Sequence, residues 1–307
     1  MTGEFELARI AVAVAGTAIA TYYDITHNRN VPDWLSFGML GLGVLAAVAG
    51  LAMTGFANWQ DVAGAVVMPA AVVLGLGYLL YRAGQIGGAD VIIFAAIALL
   101  MPAAPKGVLA GAGASGLQAV QIVQIPFVFS LFLVSGILFG VVTFGRYLVP
   151  CMHAAVGGKV RLGREQTLYL VLLTFTGAVF MWFARANALP AQFILIFLAA
   201  MVFSAFFFVF KSFIARQFLI RVVGVKGMDE EDVLAIEEME PALVRKYGLK
   251  KLLTRAEIAR LSRLPIKKFP VYKNMPAFLP YVFAALALSL LFGDVLAFAL
   301  SRAVFAG

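Results

Sequence analysis

Charge, cysteine and histidine are all scarce in this sequence. Charged residues make up 13% of the 307 positions, about half the share of an ordinary soluble domain. They are also confined to a few short segments, which excludes a soluble enzyme with polar faces spread along its length. A single cysteine, Cys151, excludes an internal disulfide and a multi-cysteine metal site, and is expected to be a buried apolar side chain. The two histidines, His27 and His153, make no ligand set with it, so neither metal nor organic cofactor is expected. What is abundant is apolar: 63% of the residues, with a mean hydropathy of +0.95. These are the values of an integral membrane protein. A net charge of +8 would suggest nucleic acid in a soluble chain. In a membrane protein Lys and Arg first report orientation, so lipid is the expected contact and nucleic acid is not.

A spanning helix needs about 20 predominantly apolar residues. Eight segments are predicted, over 5–23, 34–54, 61–81, 90–104, 125–148, 167–184, 191–213 and 278–300. The fourth is the weakest, because Pro102 and Pro105 interrupt it and the stretch from Lys106 to Gln124 reads as re-entrant or interfacial. The first opens on Glu4 and Glu6 instead of a basic run, which is not the pattern of a cleaved signal peptide. The expected fold class is therefore an all-α polytopic membrane protein. The expected organisation is a bundle over 1–213, a small cytoplasmic domain over 214–277 and a last transmembrane helix within 278–307.

Basic residues favour the cytoplasmic side. One set of loops holds only Arg9, Lys106, Arg185 and Arg302 of the 24 Lys and Arg. That places both termini outside and the polar stretch 214–277 in the cytoplasm. Within it, Leu243–Tyr247 and Thr254–Leu264 read as short helices, the second opened by Thr254 and Glu257 as a capping box. The acidic run from Asp229 to Asp232, with Glu237, Glu238 and Glu240, is a candidate attractor for a basic peptide.

Ionisable groups at membrane depth are functional candidates by default. Asp24 closes the first span and Asp90 opens the fourth. With the first span running inward and the fourth outward, both carboxylates come to the cytoplasmic level. Two carboxylates a few ångströms apart share one proton and titrate as a unit. Such a pair can activate water with its ionised member and polarise a carbonyl with its protonated member. Gly87 and Gly88 before Asp90 allow a backbone segment to approach closely.

The run Tyr23-Asp24, then Asn30-Val31-Pro32-Asp33-Trp34-Leu35, then Gly87-Gly88-Ala89-Asp90, resembles the archaeal prepilin and preflagellin peptidases of the GxGD aspartyl protease class. The resemblance is best over the first 105 residues, with Phe292-Gly293-Asp294 similar to the family's carboxyl end. It implies that Asp24 and Asp90 are the catalytic pair, with Tyr23, Gly87, Gly88 and Ala89 as motif support. It further implies a membrane aspartic endopeptidase that removes short basic class III signal peptides from prepilin or preflagellin precursors at the cytoplasmic face. Two departures stand out: the strict motif has glycine where this chain has Ala89, and Ile92 and Ile93 stand where many relatives carry a basic residue. The spans between Thr167 and Phe213 look like an addition to a six-span plan. With no paired-cysteine domain, methyltransferase activity is not expected.

Other residues carry blander readings. His27 is expected to be solvated, Asp33 to cap the second span behind Pro32, and Trp34 to anchor it at the interface. Asp61 lies near a span end, Asp294 is expected to make a structural hydrogen bond, and Phe203–Phe210 is expected to face lipid. Two alternatives remain. One is a presenilin-like intramembrane protease, with Pro276-Ala277-Phe278 similar to that family's Pro-Ala-Leu; the other is a proton-coupled transporter using the aspartates as a relay.

Overall fold

The computed structural model describes residues 3–27, 30–54, 59–108, 126–160, 162–187, 189, 191–230 and 232–297. In chain order they form α1 (Gly3–Thr26), α2 (Asp33–Thr54), α3 (Trp59–Val62), α4 (Met68–Arg82), α5 (Gly88–Leu100), α6 (Phe127–Val156), α7 (Arg164–Ala186) and α8 (Ala191–Ile214). There follow β1 (Ile220–Val223), β2 (Val233–Leu234), α9 (Pro241–Tyr247), α10 (Arg255–Leu261), β3 (Phe269–Tyr272) and α11 (Leu279–Phe292). A π-helical turn, Ala63–Val67, joins α3 to α4. Among the described residues six helices are long and apolar enough to cross a membrane. The protein is thus an all-α polytopic membrane protein carrying one small sheet.

The fourth and eighth predicted spans differ from expectation. Helix α5 has 13 residues and α11 has 14, about 20 Å each, against about 30 Å of hydrocarbon. The first stops at Met101, whose backbone leaves the helical region. The second stops at Gly293, whose φ of +79° takes a conformation that L side chains rarely adopt. The stretch 109–125 and the predicted end of the last span, 298–300, lie outside the described residues.

The chain divides at Phe139 and again at Pro276 into two compact units. The first, residues 1–139 with 277–301, is built around α5. Val91 and every residue from Ile93 to Leu100 are buried, as a helix that is apolar all round must be. Lipid is as apolar as leucine, so close backbone approach has to supply what hydrophobicity does not. Two glycines supply it. A Cβ on Gly77 of α4 would collide with a Val91 methyl, and one on Gly43 of α2 would lie 3.0 Å from the Leu99 Cβ.

The second unit, residues 140–276, joins a helical part to a polar module. Helices α7 and α8 form a hairpin closed by ring stacking of Phe180 on Phe197 and Tyr169 on Phe208, with Gln166 Nε2 donating to the Val209 carbonyl at 3.0 Å. Cys151 is fully buried among Tyr147, Phe206, Phe210 and Ile214. The phenylalanines of 203–210 therefore do not all face lipid: Phe206 and Phe210 are buried, and Phe203 stacks on Phe144.

The module folds around its own core of Met228, Leu234, Leu249, Leu253, Leu261, Phe269 and Val271. Its antiparallel sheet has the order β1-β3-β2, with Ile220 opposite Tyr272 and Leu234 opposite Val271. Phe269 and Val271 point inward at the strand period of two. The two predicted short helices are present as α9 and α10, and the Thr254 side chain accepts the Glu257 amide at 3.3 Å. The Glu257 carboxylate pairs with Lys250 and Arg260 at 3.1 and 2.7 Å.

Candidate active site

Asp24 sits in the last turn of α1, 5% exposed. Its Oδ2 accepts the backbone N–H of Leu279 at 3.0 Å, and one turn earlier Thr21 Oγ1 donates to the Leu279 carbonyl at 3.1 Å. Leu279 is the first residue of α11. The residue before it, Phe278, offers no side-chain cap, and Pro280 has no N–H to satisfy. Asp24 therefore does from another helix what a capping side chain does locally: it takes a donor that the helix start leaves unmatched.

Asp90 sits in the first turn of α5, three residues after the N-cap Gly87. A Cβ built on Gly87 would stand 3.1 Å from Asp90 Oδ2. The missing side chain at Gly87 makes room for the carboxylate folding back over its own helix start. Gly88 and Ala89 form the intervening first turn, where alanine in place of the strict motif's glycine continues the helix.

The helix starts are joined by aromatic rings. Phe94, one turn after Asp90, lies 6.2 Å from the Phe278 ring, which adjoins the Leu279 amide held by Asp24. Phe278 and Tyr281 in turn pack on Phe139 of α6, at 5.6 and 5.4 Å between centroids. The C-terminal end of α1 and the N-terminal end of α11 thus meet, and α5 reaches them through Phe94, one turn after Asp90.

The remaining candidates make contacts of their own. Tyr23 packs against the core of the first unit and its ring lies 4.9 Å from His27, which is exposed and shares a 2.7 Å hydrogen bond with Thr26 Oγ1. Asp33 is the first residue of α2 and not its cap; the N–H of Leu35 donates to the Pro32 carbonyl at 2.9 Å. Trp34 is 65% exposed. Asp294 Oδ1 accepts from the Ala297 amide at 3.0 Å. His153 is exposed, and the Asp61 side chain lies outside the described residues. No cluster of three metal-ligating side chains occurs among the described residues.

Most of the acidic residues considered for a basic peptide are engaged by neighbouring side chains; Glu240 is exposed, and Glu231 lies outside the described residues. Asp229 and Asp232 pair with Lys273, Glu230 with Arg255 and Glu238 with Arg216, while Glu237 accepts from the Tyr272 hydroxyl. Burial alone would pull the Lys273 ammonium down, but its hydrogen bonds to Asp229 and Asp232 carry it above its ordinary value. Burial, then the bond to Glu237, pushes the Tyr272 hydroxyl up. The sequence reading missed Leu279 as the partner of Asp24. The only local signal was the Pro276-Ala277-Phe278 run ahead of it.

Residues 11–144 match the type IV leader peptidase family. The matched region runs from α1 into α6, contains both aspartates and stops well short of α11. No curated protein and no solved structure matches the chain.

Proposed function

From the premise that residues 11–144 carry the type IV leader peptidase pattern, we propose that this multi-pass membrane peptidase is an aspartyl endopeptidase with Asp24 and Asp90 as its catalytic pair. The observation that supports the reading is Asp24 at the end of α1 closed on the start of α11, with Asp90 one turn before the Phe94 ring that packs on the adjoining Phe278. In the reaction the pair holds one proton. The ionised carboxylate takes a proton from water as the oxygen attacks the scissile carbonyl carbon, and the protonated one hydrogen-bonds the carbonyl oxygen. The tetrahedral species then collapses with cleavage of the C–N bond, the departing nitrogen receiving the proton. Neither step needs a metal.

The substrates in this reading are prepilin-like or preflagellin precursors with short basic signal peptides, cut at the cytoplasmic face. The lopsided distribution of Lys and Arg among the loops supports that face. Asp24 in a last turn and Asp90 in a first turn favour a cut at a membrane boundary over one inside a transmembrane segment. The test is to incubate membrane-embedded protein with a panel of such precursors and map the products by mass spectrometry. A cut on the cytoplasmic flank, after the basic segment, supports the proposal. A cut within the precursor's apolar helix establishes the presenilin-like alternative, and pH-driven uptake without any cut establishes a transporter.

A further inference from the structure

One buried cation in the first unit has no part in the chemistry above. Arg9 of α1 is 8% exposed. Its Nε donates to the Leu100 carbonyl at 2.8 Å and its Nη2 to the Leu99 carbonyl at 2.7 Å, while Phe5 lies under the guanidinium at 5.6 Å. The last carbonyls of a helix have no partner within it. Here that helix is α5, whose 13 residues end among buried side chains, Leu100 and Met101 being 2% and 3% exposed. Unpartnered carbonyls are not tolerated at membrane depth.

The placement of this contact matters as much as its strength. Arg9 lies near the start of α1, which carries Asp24 in its last turn; Leu99 and Leu100 end α5, which carries Asp90 in its first. The two helices therefore run antiparallel, tied at one end by Arg9 and gathered around Leu279 at the other. The segment leaving α5 is also pinned, with the Val108 amide donating to Leu290 of α11 at 3.1 Å. A guanidinium fork that grips two successive carbonyls resists sliding along the axis more than a single ammonium donor does.

We propose that Arg9 is a positioning residue that sets the axial register of α1 against α5, and so of Asp24 against Asp90. The register part stands on the hydrogen bonds alone; its consequence for cleavage rests on the peptidase reading above. Loss of the fork lets the two helix ends shift relative to one another, and a displacement of about 1 Å at a reacting centre costs about a hundredfold in rate.

The test uses the full chain in lipid nanodiscs, with Arg9→Met and Arg9→Lys compared with the parent. Spin labels at exposed Ile25→Cys and Gln85→Cys, in a Cys151→Ala background, report the distance between the end of α1 and the approach to α5 by pulsed electron resonance. Arg9→Met is expected to shift or broaden that distance by about one helical residue step, about 1.5 Å. It is also expected to lower kcat per folded molecule about tenfold to a hundredfold with KM unchanged. Arg9→Lys is expected to restore both in part. An unchanged distance, or a kcat per folded molecule equal to the parent's with only thermal stability reduced, overturns the proposal. Should Arg9→Met fail to fold, Arg9→Lys decides by the same two readouts. Should the parent cleave no precursor, the peptidase reading falls and the distance still decides the register.

Discussion

The first unit and the polar module of the second use polar groups in different ways. In the first, the polar side chains that bond between helices are buried or nearly so: Arg9 on Leu99 and Leu100, Asp24 and Thr21 on Leu279. Each joins one helix to the backbone of another. In the second, ion pairs such as Arg216–Glu238 and Arg255–Glu230 have an exposed cation and lie within one small module. Surface pairs of that kind add little to stability, whereas a buried donor or acceptor that loses its partner is costly. Geometry is fixed most tightly where polar groups are buried between helices, and Asp24 is one of those groups.

The sharpest way to break this contrast is through glycine. Gly77→Leu places a side chain where even a Cβ would collide with Val91, and a loss of about 3 kcal/mol is expected. The protein should fail to elute as a single species in detergent. Gly75→Leu, two residues away with nothing within 4 Å, should elute normally. Gly177→Leu in the second unit meets only the mobile end of Met201 and should fall between them.

Next in size is Glu257→Gln. It removes the charge from a buried carboxylate paired with Lys250 and Arg260, and should lower the stability of the module by about 1–2 kcal/mol, measurable as a drop in its unfolding temperature. Thr21→Val removes one hydrogen bond to Leu279, about 1 kcal/mol. Because that bond steadies the partner of Asp24, kcat should fall several-fold more than stability alone explains; an unchanged kcat would remove Thr21 from the site.

The smallest effect is on alkaline pH. Tyr272 and Lys273 both hold their protons more tightly folded than unfolded. Their contribution is therefore fully present below the unfolded values, near pH 10, and is lost as pH rises through the folded ones. The unfolding temperature should decline from about pH 10 upward, and Tyr272→Phe should flatten that decline. A profile unaltered by the substitution would mean that Tyr272 does not contribute.

The long helices were legible because their signal is local: α1, α2, α6, α7 and α8 each carry an unbroken apolar run. The short sheet was not. β3 is the central strand yet contains Pro270, a residue that argues against such an assignment. Its carbonyl accepts the Ala235 amide at 2.9 Å, just past the end of the two-residue β2. The lengths of α5 and α11 were overread because apolar residues continue past the points where Met101 and Gly293 turn the backbone. Asp24 and Asp90 could be singled out from their depth and their flanks. Their partners could not: Leu279 is 255 residues from Asp24 in sequence, and Arg9 is 91 from Leu100. No local pattern carries a contact of that range.

The most direct measurement is the turnover of a mapped precursor by Asp24→Asn and Asp90→Asn, each shown to be folded and membrane-inserted. Removing either half of an acid–base pair should reduce kcat by about a thousandfold or more, and the account predicts that loss for both. Cleavage at the parent's rate by either variant would contradict the pairing of Asp24 with Asp90.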